Sequence, residues 1–146
     1  MNLAIDPGTT HSAFVQYHNG KVIDHGHLPN EEIRQVLIGR EYDRVACEMI
    51  ASYGMAVGAS TFETCVWIGR FIEVARVDVE LIFRKDIKLF LCGSMRAKDA
   101  NIRQALIDKI GTQGTKKTPG PTYGIKSHTW AALAVAVYAA QNNNNK

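Results

Sequence analysis

No run of apolar residues in this chain approaches the ~20 needed for a membrane-spanning helix, and its start lacks the basic-then-apolar layout of a secretory signal. We therefore expect no membrane association and a cytoplasmic, reducing compartment. Cysteine is scarce: Cys47, Cys65 and Cys92 are odd in number, sit among apolar neighbours and show no CxxC spacing. That pattern points to buried free thiols and away from a disulfide or zinc framework. No internal repeat is visible. Neither sign of charge dominates, with 17 Lys and Arg against 14 Asp and Glu, a net charge of +3 and a pI near 8.8. So mild a balance does not by itself identify a nucleic-acid binder. The 146 residues suit one compact domain, residues 1–141, followed by a polar tail, residues 142–146, expected to be disordered.

What the chain does contain is a clear order of elements. Residues 2–6, 12–18 and 21–28 read as three successive strands, and Asn19-Gly20 supplies the two-residue turn of an antiparallel hairpin. Asn30 suits a helix N-cap, Glu31 and Glu32 suit its first turn, and Ile33, Val36 and Leu37 recur at helical spacing up to Gly39. Residues 44–49 form a second apolar run, reached by crossover and so parallel to the first. A largely apolar helix follows over residues 60–76, carrying Phe62, Trp67 and Phe71, whose helical spacing suits core or dimer contacts more than an aromatic wedge into the substrate. Residues 79–83 are a further strand, residues 86–92 a short apolar segment, and Asp99 to Ile110 an amphipathic helix ended by Gly111. Residues 111–126 form a Gly- and Pro-rich loop of a size that is more often functional or mobile than merely connective. The alanine-rich stretch from residue 127 to 141 makes a helix able to approach a sheet closely. The expected fold is α/β: a mixed sheet with an antiparallel three-strand meander and parallel strands, flanked by helices.

Two carboxylates stand where this fold places chemistry. Asp6 ends the buried run Leu3-Ala4-Ile5 just before Pro7-Gly8, and Glu48 ends the run Val45-Ala46-Cys47. On adjacent parallel strands they lie side by side, close enough to hold a hard cation against a phosphate. Taken alone, Asp6 also suits an Asx turn before Pro-Gly, and Glu48 a solvated strand end.

The order LAIDPGTTHSAFV, VACEMI, a helix ending IGRFIEVAR, the turn Gly93-Ser94-Met95-Arg96-Ala97-Lys98-Asp99 and finally HTWAALAVAVY resembles the RuvC-type Holliday junction resolvases, most of all their phage-borne branch. The similarity covers nearly the whole chain. It implies a ribonuclease H-like fold, a homodimer, and Mg²⁺- or Mn²⁺-dependent paired nicking of four-way DNA junctions. By position, Asp6 and Glu48 match the family's metal-binding acids, and His128 takes the first acidic or histidine position of the last helix. The aspartate expected three residues later is Ala131, through natural replacement or an inactivating substitution. His128 or Asp99 would then complete the site, although Asp99 also suits an N-cap. Arg96 and Lys98 match the family's basic turn and would neutralise the cleaved phosphate or the DNA backbone, although they also suit a solvated surface.

Other residues extend or compete with that reading. Lys116, Lys117 and Tyr123 in the long loop combine charges for phosphates with an aromatic suited to stacking on an unpaired base. His25 and His27 share one strand face and read as surface histidines. The segment Ile5-Asp6-Pro7-Gly8-Thr9-Thr10-His11-Ser12 also looks like the first phosphate loop of actin-like ATPases and sugar kinases, which need two such lobes. A third reading is a nuclease-like domain that binds branched DNA without cutting it.

Overall fold

The computed structural model describes residues 1–143, which form five strands and five helices. The strands are β1 (Asn2–Asp6), β2 (His11–His18), β3 (Lys21–Pro29), β4 (Arg44–Met49) and β5 (Val79–Phe83). The helices are α1 (Asn30–Gly39), α2 (Ala59–Val74), α3 (Arg84–Cys92), α4 (Asp99–Ile110) and α5 (His128–Asn143). One sheet holds all five strands in the order β3-β2-β1-β4-β5. The β1–β2 and β2–β3 pairs are antiparallel, and β1–β4 and β4–β5 are parallel, as the meander and crossover pattern requires. Asn19 and Gly20 both take positive φ, +50° and +76°, the backbone that a tight two-residue hairpin turn demands.

Period-two alternation divides the sheet into two faces. Leu3, Ile5, Phe14, Val45 and Cys47 join Ile33, Leu37, Ile68 and Phe71 in a core between the sheet and α1–α2. Ala4, Ala13, Val15, Ala46 and Ile82 join Ile87, Leu106 and the buried side of α5 in a second core. The small residues on this second face (Ala4, Ala13 and Ala46 against Ala132, Ala136 and Ala139) let α5 lie close across the centre of the sheet. Asp6 and Glu48 fall in the same alternation as Ala4 and Ala46, so they face α5.

Several local expectations change. The segment after β5 is a helix, α3, with Ile87 buried and Leu91 and Cys92 packed partly against the core one turn later. Asn30 is not a cap: Pro29 takes that place, and the Asn30 side chain turns inward. Asp99 likewise lies inside α4, with Lys98 at the N-cap. Only Cys47 is fully buried; Cys65 and Cys92 are half-buried because the apolar faces of α2 and α3 are only partly covered. Phe71 belongs to the core, Trp67 leans against it with ring centroids 6.0 Å apart, and Phe62 is exposed. The 111–126 loop is an ordered structure: Gly114 and Pro119 bridge, Thr122 Oγ1 donates to the Gly111 carbonyl, and Gln113 Nε2 donates to the Ile125 carbonyl. α5 continues to Asn143, so the first two residues of the expected tail are helical, and residues 144–146 lie outside those described. Among the described residues no helix is long and apolar enough to cross a membrane.

Candidate active site

In the parallel β1–β4 pair Ile5 stands opposite Cys47, which sets the next residues, Asp6 and Glu48, side by side at the strand ends. From β1 the chain runs to β2 on one side, and by crossover to β4 on the other. The site is therefore at the switch point of the sheet, outside the carboxyl ends of its parallel strands, where an open α/β fold leaves a crevice. Asp6, Glu48, Arg84, Asp99, His128 and Ala131 line a cavity of about 480 Å³ there. Its floor is the sheet, and its sides are the first turns of α3, α4 and α5.

Burial and like charge dominate the electrostatics. Asp6 is only 8% exposed, and its pKa is pushed from an ordinary 3.8 up to about 8. Burial is the largest cause, followed by the adjacent Glu48 carboxylate; Arg84 partly offsets both, and Asp99 adds to the rise. Cys47, beneath the pair, is also pushed up by burial and then by Asp6 and Glu48, so it stays a thiol. Arg84 Nη1 lies 3.3 Å from Glu48 Oε1, and Nη2 pairs with Asp99 Oδ1. Burial works against the Arg84 charge, but Glu48 and Asp99 outweigh it and raise its pKa.

A polar clamp fixes the turn that follows Asp6. Gly8 N–H donates to Ser12 Oγ at 3.1 Å, Ser12 Oγ donates to Asn30 Oδ1 at 2.5 Å, and Asn30 Nδ2 donates to the Gly8 carbonyl at 2.9 Å. Ser12 and Asn30 are both buried. A Cβ on Gly8 would lie 2.3 Å from the His11 carbonyl oxygen, so only glycine fits this turn. Asn30 was unreadable as part of this clamp because its partners lie 18 and 22 residues away.

Of the anticipated residues, Asp6, Glu48, Asp99 and His128 come together on the cavity. His128 Nδ1 is 3.1 Å from Asp6 Oδ2, while its ring remains largely exposed. Ala131 lines the same cavity, one helical turn beyond His128. Arg96 and Lys98 are exposed on the turn leading to Asp99, at the border of the site. Lys116, Lys117 and Tyr123 are exposed on the ordered loop and do not line the cavity; beside Tyr123, Gly124 packs near His25 on β3. Three residues beyond those anticipated belong to the site. Arg84 and Arg103 line the cavity, and His27 stacks on His128 with centroids 5.5 Å apart and planes at 20°. The ring centroids of His11 and His27 are 5.7 Å apart. Burial, then His128 and His11, lowers the pKa of His27. The placement of Arg84 just past a strand on the same sheet was the one available sign of its role.

No protein-family model matches the chain, and no curated protein matches it. Solved structures do. A structure of Thermus thermophilus RuvC superposes with a TM-score of 0.66 over 97% of this chain and 96% of that one. A second, of T. thermophilus RuvC in complex with a Holliday junction substrate, gives 0.67 over 97% and 95%. Both are 20% identical to this chain.

The fold is that of RuvC.

The ribonuclease H-like mixed sheet flanked by helices is thus shared from end to end with RuvC. Among the described residues no three His, Cys, Asp or Glu side chains converge closely enough to hold an ion by themselves. The Asp6–Glu48 pair nevertheless fits a hard divalent cation. Mg²⁺ is commonly held by one or two carboxylates, with water and substrate phosphate supplying the rest. A carboxylate driven to hold its proton by burial, and next by a carboxylate neighbour, is also the group that a cation would relieve.

Proposed function

We propose that this protein is a metal-dependent, structure-selective endonuclease that resolves four-way or similarly branched DNA by paired nicks. The observation that carries this reading is the Asp6–Glu48 pair at the switch point of a RuvC fold, facing a cavity open to substrate. Asp6 and Glu48 would hold Mg²⁺ or Mn²⁺, with His128 as a further ligand or as the group that orients Asp6 through its 3.1 Å contact. When bound, the ion would lower the pKa of a water so that hydroxide is available as the nucleophile, and would neutralise charge on the phosphate. His128 lies against Asp6 Oδ2, and the clamp through Ser12 and Asn30 holds the turn that carries Asp6. Asp99 adds negative charge on the far side. Arg96, Lys98, Lys116, Lys117 and Tyr123 are the DNA contacts of this reading.

Paired nicking requires two sites, so the functional unit of the proposal is a homodimer. The exposed Phe62, Val66 and Ile72 on α2 are the surface that supports it, being apolar and outside both cores. A cytoplasmic, reducing compartment suits the three free cysteines. Likeness to the phage-borne branch rests on the motifs alone.

Ala131 on the cavity favours a second reading: a domain that binds branched DNA without cutting it. The kinase-like reading loses its main support, because the Gly8 N–H that would meet a nucleotide phosphate is already bonded to Ser12. Binding of a labelled four-way junction in Ca²⁺, followed by nicking in Mg²⁺ or Mn²⁺, separates these readings. Selective binding with paired nicks supports the nuclease, and binding without nicks the second reading. ATP binding in place of junction binding overturns both.

A further inference from the structure

Arg84 is the first residue of α3 and leaves the sheet at the end of β5, one strand beyond Glu48. Its guanidinium spans the cavity from Glu48 to Asp99, so one arm of the fork rests on a carboxylate assigned to the metal. Asp99 is mostly solvated, with its side chain 82% exposed, whereas the Glu48 side chain is 15% exposed. The two ends of this bridge are therefore unequal: one is anchored near the sheet and the other is easily exchanged for another anion. Two-metal phosphodiester cleavage needs several carboxylates around two ions about 3.5–4 Å apart. Here the cavity offers Asp6, Glu48 and Asp99, has Ala131 on a fourth side, and already contains a fixed cation.

We propose that Arg84 is the second cation of this site. With a single divalent ion on Asp6 and Glu48, the guanidinium takes the place of a second ion. At rest it bridges Glu48 and Asp99. With DNA present it exchanges Asp99 for a non-bridging oxygen of the scissile phosphate, which its planar fork matches in charge and geometry. Arg103, on the same cavity, adds to the field that draws the phosphate in. This inference rests on the nuclease reading for its substrate, but not for its ion count.

Mn²⁺ titration of the DNA-free protein, read by the electron paramagnetic resonance of free Mn²⁺, tests the ion count. The wild type is expected to bind one ion per chain. Arg84→Gln, which removes a positive charge beside Glu48, is expected to bind Mn²⁺ about tenfold more tightly or to accept a second ion. Arg84→Lys keeps the charge and is expected to titrate like the wild type, which separates loss of charge from loss of fold. In Ca²⁺, Arg84→Gln should weaken junction binding about tenfold and lower the salt slope by about one, with Arg84→Lys recovering the slope. Two ions on the wild type, or unchanged or weaker Mn²⁺ binding by a folded Arg84→Gln protein, overturns the inference. If the wild type binds one ion but no junction, the nuclease reading and the phosphate role both fall, while the Mn²⁺ comparison still decides whether Arg84 acts as the second cation.

Discussion

Replacing Asp6 by Asn should stabilise the metal-free protein at high pH, and the gain should vanish as pH falls. In the folded chain the Asp6 carboxyl titrates near 8, and in the unfolded chain near 3.8. Between those values the folded state keeps a proton that the unfolded state releases, so stability falls as pH rises from about 4 to about 8. Above 8 the native state carries a buried carboxylate beside Glu48, with Arg84 as partial compensation. The gap between the two pKa values sets an upper limit of about 6 kcal/mol, at about 1.4 kcal/mol per pH unit. Relaxation and water entry reduce what is realised to about 2–3 kcal/mol, the scale typical of burying a polar group with incomplete compensation. For a domain of this length that is a rise in Tm of roughly 5–10 °C. Thermal unfolding in EDTA from pH 4 to 9, followed by circular dichroism, measures it. Asn should gain most above pH 8 and almost nothing near pH 4. Added Mn²⁺ should reverse the order at high pH, because the wild type alone gains a ligand-linked term. A pH-independent difference, or an Asn variant less stable than the wild type at pH 9 in EDTA, would refute the argument.

Asn30→Ala removes both ends of the buried bridge from Ser12 to Gly8 and leaves those groups unpaired; a loss of about 2–4 kcal/mol and a lower denaturation midpoint in urea are expected. Ala131→Asp puts a carboxylate on the cavity, so Mn²⁺ affinity or nicking rate should rise in a direct titration or gel assay; no change in either would mean that the site is completed elsewhere. The double change Lys116→Ala and Lys117→Ala should weaken junction binding at every sequence tested and lower the salt slope by about two, with Mn²⁺ binding untouched because neither residue lines the cavity.

The strands, most helices and the two carboxylates were legible because each depends on local pattern. Alternation put Asp6 and Glu48 at the ends of buried runs, Asn19-Gly20 fixed the hairpin, and the crossover implied that the two runs are parallel neighbours. The residues read wrongly or missed depend on distant partners. Asn30 looked like a cap because nothing within a few residues of it reveals Ser12 and Gly8 as its partners. Arg84 carries no local mark of its role and joins the site only because β5 lays it beside Glu48. His27 read as a surface histidine, and it is exposed, but β3 and α5 bring it onto the ring of His128. By itself the sequence determined the order of elements and which side chains alternate to which face, since both follow from short-range periodicity and turn chemistry. Only the tertiary structure decided the charge balance of the cavity: burial raised Asp6, and a guanidinium from a third strand end settled between Glu48 and Asp99. Such interactions fall off with distance in space and take no account of separation along the chain.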